Sequence, residues 1–246
     1  MADVYLVNAG LVLGLMLLIW AVSVLLRNVS IVDLVWGLGF VAIAWATLSV
    51  RWHRESPTQL FESPSVWLLP LCTTVWGVRL SGYLAWRNHG QGEDKRYAAM
   101  RERRREAFWW RSLYVVFLLQ GVVMWIVSLP IQVGIGQAQP GWSLLHLLGI
   151  AMWALGLTFE TLGDWQLARF KQDPDNRGRV LDRGLWRYTR HPNYFGDFCV
   201  WWGLYSLAAA NGVAVWTVFS PAVMTLLLMR VSGVSLLEKS LSREKP

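Results

Sequence analysis

Arg183-Gly-Leu-Trp-Arg-Tyr-Thr-Arg-His-Pro-Asn-Tyr-Phe-Gly-Asp197 runs directly into Phe198-Cys-Val-Trp-Trp-Gly-Leu-Tyr-Ser-Leu-Ala-Ala-Ala210. The first stretch holds three arginines, a histidine, an asparagine and an acid. The second, taken with its polar start, has the length of a membrane helix. Ionisable groups at such a boundary are expensive to keep, so they mark a place where something charged is held. Together the two stretches predict an all-α protein: an integral membrane helical bundle with a ligand site at its edge.

The rest of the chain extends that reading. Of its 246 residues 54% are hydrophobic and 16% are charged, against about 25% charged in a soluble domain. Apolar runs predict about seven spanning helices, roughly 4–26, 31–50, 65–86, 108–133, 142–165, 193–211 and 213–235. A bilayer admits helices or closed barrels, and no ten-residue alternating pattern suggests strands. The first run lacks a small-residue cleavage site and reads as a retained helix. Gln137–Gly141 and Asn211-Gly212 read as turns. Cys72 and Cys199 both lie in apolar runs, where cysteine is a small buried hydrophobe. They offer neither a disulfide framework nor clustered ligands, so no metal is expected. A net charge of +7 invites nucleic acid, but no groove-reading motif is visible. The chain reads as one membrane domain, with N-terminal helices in 1–150 on the substrate side and a cofactor-binding half in 151–246.

Charge sets orientation. Lysine and arginine gather in the loops 87–111 and 166–192 and in the tail, at Lys239, Arg243 and Lys245, while the turns 134–141 and 211–212 carry none. By the positive-inside rule the basic loops and the C-terminus are cytoplasmic and the N-terminus is outside. Arg51 and Arg54, on the outer side, run against this. Arg103-Arg-Arg105 reads as a topology signal. Most of the tryptophans read as interfacial belts.

Four constellations have the residue types for chemistry. In the first, a helix starting near Pro192 suits proline in the first turn, and its free N–H groups favour an anion. Arg187 and Arg190 add guanidinium groups, which match phosphate geometry. Asn193 and Asp197, four apart, share a helical face and suit a carboxamide or ribose hydroxyls. Equally, the arginines form a basic patch on anionic lipid, with Asn193 and Asp197 as caps. The second is Glu160 and Asp164, again four apart, followed by Arg169, Lys171, Asn176, Arg177 and Arg179. It reads as a nucleotide-shaped pattern or as a snorkelling interface. The third is Arg79, Tyr83 and Arg87 on one face; an arginine about two turns inside the membrane edge suggests function. Gly92-Glu-Asp-Lys-Arg-Tyr97 follows and alone reads as a solvated loop. In the fourth, Asp33 near the start of the second helix is a capping acid or a neutral acid in an apolar site.

Arg190-His-Pro-Asn-Tyr-Phe-Gly-Asp197 resembles the cofactor motif of membrane sterol reductases. Glu160 to Asp164, the basic loop, Arg183-Gly-Leu-Trp and Asn193 to Asp197 resemble the C-terminal domain of steroid 5-alpha-reductases. Val32–Gly37, Arg79–Tyr83, Gly92–Tyr97 and Ser232–Lys239 resemble a bacterial branch of that superfamily. The resemblance implies NADPH and places the protein in a bacterial inner membrane, with its cofactor site facing the cytoplasm. Carried over, it assigns Asn193 and Asp197 to the nicotinamide, with Tyr188, His191 and Tyr194 in the same motif. Asp164 and Glu160 would serve the adenosine end, with Arg190, Lys171 and Arg179 near the phosphates. Arg79, Arg87 and Tyr83 would close over the cofactor, and Arg230 would add a basic contact. Relatives use a glutamate in helix two and a tyrosine in helix three for a 3-keto group; here those places fall nearest Asp33 and on Trp76.

The implied reaction is hydride transfer to a polarised C=C bond of a lipophilic enone, steroid-like or isoprenoid, entering from the bilayer. Asp33 or Tyr83 would be the acid at the carbonyl. The basic surplus favours NADPH over NADH. Isoprenylcysteine methyltransferases share an Arg-His-Pro-x-Tyr motif and bind S-adenosylmethionine, which gives the alternative: a membrane methyltransferase. Their motif usually lacks the asparagine and aspartate found here. A lipid-binding scaffold, its arginines on acidic headgroups, is a third reading.

Overall fold

The computed structural model describes residues 1–104, 107–210 and 212–231, and every regular element among them is helical. The α-helices are α1 Ala2–Leu26, α2 Ile31–Trp52, α3 Pro57–Phe61, α4 Pro64–Asn88, α5 Lys95–Arg104, α6 Phe108–Ser112, α7 Leu119–Val127, α8 Leu129–Gly136, α9 Leu144–Gln172, α10 Pro192–Ala209 and α11 Phe219–Leu226. A π-helical turn, Leu113–Leu118, joins α6 and α7 into one rod, and another, Leu227–Val231, extends α11. Two compact units divide the chain, Met1–Gly141 and the residues from Trp142 onward.

Among the described residues, four helices have the length and apolarity to cross a bilayer: α1, α2, the rod Phe108–Val127 and α9. The 25 residues of α1 reach about 37 Å at ~1.5 Å per residue, more than a hydrocarbon core of ~30 Å. Both α4 and α10 are at least 18 residues long but less apolar.

Two expected spans have different limits. The run 108–133 breaks at Ser128 and restarts as α8, because Pro130 has no N–H with which to continue the ladder. Conversely, α9 continues past 165 to Gln172, so Arg169 and Lys171 are helical rather than looped. Arg105, Asn211, the segment Ser232–Lys239, Arg243 and Lys245 lie outside the described residues.

Polarity is inverted, as in lipid. On α9, Leu144 is 70% exposed and Leu147, Leu148 and Leu155 are also bare. In the first unit, Asn8, Thr47 and Gln132 are wholly buried. The amide of Asn8 donates to Thr47 Oγ1 at 2.8 Å and to Gln132 Oε1 at 3.1 Å. Intramembrane polar groups face inward because lipid offers them no partner.

The helix crossings are made by glycine. In the first unit, a Cβ on Gly37 would sit 2.6 Å from the Gly77 carbonyl oxygen, and one on Gly77 would sit 2.6 Å from that of Gly37. Thus α2 and α4 touch backbone to backbone, the close approach small residues permit in membranes. In the second unit the device repeats. Gly149, Gly156 and Gly163 recur every seven residues on α9, and Gly196 and Gly203 every seven on α10. A Cβ on Gly156 would lie 2.5 Å from the Gly196 oxygen, and one on Gly203 would lie 2.7 Å from the Trp153 nitrogen. This seam positions the site.

Arg51 and Arg54 cease to be stray charges. Arg51 is 7% exposed and donates to the carbonyl of Ile135 in the last turn of α8, to that of Ala138 just past it, and to Glu55. Arg54 pairs with Asp3. Both are consumed by local structure, as cations at a helix C-terminus often are.

Candidate functional site

The α9–α10 seam joins the first two constellations. Glu160 is 3% exposed, Asp164 6% and Asp197 9%. A Cβ on Gly196 would strike the Glu160 nitrogen at 2.5 Å, and one on Gly163 would lie 3.1 Å from the Asn193 nitrogen. With nothing between the backbones, Asn193 Nδ2 donates to Asp164 Oδ1 at 3.1 Å. Its own Oδ1 accepts from the Tyr194 N–H, also at 3.1 Å. The buried acids do not snorkel. Among the described residues no three His, Cys, Asp or Glu are grouped so as to hold a metal.

Pro192 opens α10, with His191 at the preceding position. Around this start Arg183, Arg187 and Arg190 are exposed, as are Lys171 and Arg179 in the approach and Arg230 in the final π-helical turn. Arg183-Gly-Leu-Trp docks the loop on α9. Gly184 takes a φ of +60°, and its absent side chain leaves room for Gln166. Gln166 Oε1 accepts from the Leu185 N–H at 3.0 Å, and Trp186 Nε1 donates to the Gly163 carbonyl at 3.0 Å. Asn176 has a capping role, donating to the Phe170 carbonyl at the end of α9.

A cleft of about 330 Å³ lies beside the motif, lined by His191, Tyr194, Phe195, Phe198, Leu228 and Met229 among others. Its walls are α10 and the end of α11 with the π-helical turn that extends it. Such π-helical turns frequently mark functional sites. Tyr188 does not reach this wall; it is 85% exposed.

In the first unit, Arg79 and Arg87 lie over the ring of Tyr83, at 5.5 and 5.8 Å from its centroid. The three share the face of α4 that their spacing predicts. Trp76 packs edge-on against Phe40 at 5.9 Å and is fully buried, so it builds core.

Asp33 has two named partners. Tyr97 donates its hydroxyl to Oδ1 at 2.9 Å, and Arg96 donates to Oδ2 at 3.1 Å. Gln120 in turn donates to the Tyr97 oxygen. The segment Gly92–Tyr97 is therefore no solvated loop but a latch over the α1–α2 junction. Glu93 Oε1 accepts from the Val29 N–H, and the Asp94 N–H donates to Ser30 Oγ. Arg101 clamps both oxygens of Glu93 at 2.8 Å. Burial pushes the Glu93 carboxyl up, but the bonds from Arg101 and Val29 outweigh it and hold the group below the usual carboxylate range. Burial, reinforced by the nearby Asp33, pushes the Tyr97 phenol well up.

The family model described as "Protein of unknown function (DUF1295)" matches residues 19–246. The chain belongs to this DUF1295 family. An uncharacterized protein of Schizosaccharomyces pombe (strain 972 / ATCC 24843), C594.04c, is 24% identical over 255 residues, covering 89% of this chain and 71% of its own. No solved structure matches. The DUF1295 match runs through α2, the latch and the α9–α10 seam, so both polar clusters fall within the family's extent.

Two features escaped the sequence reading. The seven-residue glycine spacing was visible in the sequence and would have paired α9 with α10. The latch left no comparable signal, since its partners are 64 residues apart.

Proposed function

We propose that this DUF1295 protein is an NADPH-dependent membrane reductase, acting on a polarised C=C bond of a lipophilic enone. The observation that carries the reading is the Asn193–Asp164 bond, which brings the two nucleotide-type constellations onto one seam. The residues present fit the cofactor by their chemistry. Guanidinium groups at Arg183, Arg187 and Arg190 beside a helix N-terminus suit phosphates. Lys171, Arg179 and Arg230 add charge on the same unit. The carboxylates of Glu160 and Asp164 suit ribose hydroxyls, and Asn193 with Asp197 suits a carboxamide. The apolar cleft beside His191 and Tyr194 suits a lipophilic partner.

When bound, NADPH would supply a hydride. A hydrogen-bond donor at the substrate carbonyl, the role that the resemblance gives to Tyr83, would stabilise the charge developing on that oxygen, and the α-carbon would take a proton from solvent. Asp33, an acceptor for Tyr97 and Arg96, acts as a positioning residue for the latch. Seven spans, an outside N-terminus and a cytoplasmic site in a bacterial inner membrane complete the proposal. Charge asymmetry supports it, now that Arg51 and Arg54 are tied down locally.

The test is a cofactor titration on detergent-purified protein with NADPH, NADH and S-adenosylmethionine, followed by melting temperature. A ligand that binds only the folded state raises apparent stability. Saturable stabilisation by NADPH alone is the expected result. Stabilisation by S-adenosylmethionine alone would reassign the seam to methyl transfer.

A further inference from the structure

A second cleft, of about 290 Å³, opens in the first unit where α1 ends. Ser23, Arg27, Arg101, Phe108, Trp109 and Ser112 are among the residues that line it. We infer that this cleft is a headgroup site for an anionic glycerophospholipid, with the phosphate on Arg27 and headgroup hydroxyls on Ser23 and Ser112.

Depth comes first. Arg27 is the first residue past Leu26, the last residue of a helix long and apolar enough to span a membrane. Trp20 Nε1 donates to the Trp109 carbonyl at 2.9 Å and the two rings stack at 6.4 Å. Paired tryptophans at a helix end are the usual furniture of the headgroup layer.

Conformation is the second observation. Arg27 has φ 50° and ψ 35°, the one described non-glycine residue with positive φ. Its N–H closes the end of α1 on the carbonyls of Ser23 and Val24. Glycine is the usual residue for this left-handed closure, since any side chain strains it. An arginine held in that conformation points to work done by its side chain.

Charge is the third. Arg101 is spoken for by Glu93 and the Arg27 carbonyl, and its guanidinium also lies 4.8 Å over the Phe108 ring. The guanidinium of Arg27 makes no hydrogen bond or ion pair with the described residues and is exposed at the cleft. It suits a phosphate diester. The two serines spend their protons on the carbonyls of Trp20 and Trp109, at 2.7 and 2.9 Å. Their lone pairs remain, and these accept from donors such as the hydroxyls of phosphatidylglycerol. Phosphatidylcholine, with no headgroup donor and no net charge, fits less well. The helix beside the cleft, α5, is strongly basic and favours an anionic surface.

The test uses the full chain, reconstituted in bilayers holding equal phosphatidylglycerol and phosphatidylcholine. It is extracted in mild detergent, and retained lipid is read by native mass spectrometry. Wild type is expected to retain phosphatidylglycerol about tenfold over phosphatidylcholine. Arg27→Gly should lose that preference while melting at a higher temperature, because glycine relieves the closure. A purely structural arginine would not separate the two readouts. Arg27→Gln keeps the strain and removes the charge, so it should lose the preference without the rise in melting temperature. Equal retention of both lipids by wild type, or a preference that survives in Arg27→Gly and Arg27→Gln, overturns the inference. Displacement of the lipid by soluble glycerol phosphate also overturns it, assigning the cleft to a water-soluble phosphate.

Discussion

Asn193 donates its side-chain amide to Asp164 across 29 residues of chain, from the first turn of α10 to the C-terminal half of α9. A neutral donor on a carboxylate in so dry a place is worth ~1.5–3 kcal/mol. A double-mutant cycle with Asn193→Ala and Asp164→Ala should therefore show a coupling of ~1–2 kcal/mol in detergent unfolding. Additive effects would mean the two side chains act separately.

Asp197 sits one turn further along the same face of α10. Asp197→Ala should abolish saturable NADPH binding while leaving the melting temperature of the free protein within a few degrees. Isothermal titration with the variant checks this, and an affinity equal to wild type would remove Asp197 from the cofactor site.

The seam offers a sharper stability test. Gly196→Ala puts a Cβ 2.5 Å from the Glu160 nitrogen and 2.6 Å from the Gly156 oxygen, and main chain cannot step aside as a flexible side chain does. Overpacking of this kind costs ~1–3 kcal/mol or more. Gly14→Ala is the matched control, since nothing lies within 4 Å of a Cβ there. Within a helix it should be neutral or stabilising by up to about 1 kcal/mol. Thermal unfolding of the two variants side by side reads the difference.

The latch predicts a pH dependence with a defined sign. Glu93 is held below its ordinary carboxylate range when folded. Its contribution is therefore complete above the unfolded value of about 4.3. It is lost as pH falls through the lower, folded value. Wild type should melt above Glu93→Gln at pH 7, and the gap should close under acid conditions below pH ~4. A gap that widened on acidification would reverse the assignment.

Gly184→Ala tests the docking of the arginine-rich loop. Its φ of +60° and the Gln166 side chain 2.5 Å from a Cβ both oppose the change. The variant should cost ~1–2 kcal/mol locally and speed trypsin cleavage between Arg177 and Arg190. Cleavage at the wild-type rate would show that the loop does not depend on this turn.

How far the sequence carried can be judged residue by residue. Length and hydropathy announced α1, α2 and α4 within a few residues, and the start of α9, because lipid imposes a single demand on each. Proline placed the start of α10 and, overlooked, the break at Ser128. The four-residue spacings of Glu160 with Asp164 and Asn193 with Asp197 put each pair on a helical face. That the two faces meet depends on glycines seven residues apart, a spacing that spans two helical turns. Asp33 was legible as an unusual acid, but its partners Arg96 and Tyr97 were not. They arrive from 63 and 64 residues away through a segment whose composition is that of an ordinary polar turn.

Because Gly156 and Gly196 meet through main chain, the spacing of α9 and α10 is set by atoms that every amino acid shares. The side chains at 160, 164, 193 and 197 are displayed by that contact and do not set its spacing. Such a scaffold lets recognition diverge while architecture stays constant. Within the DUF1295 family, different donors and acceptors at those four positions would then be read as changes of ligand on the same pair of helices.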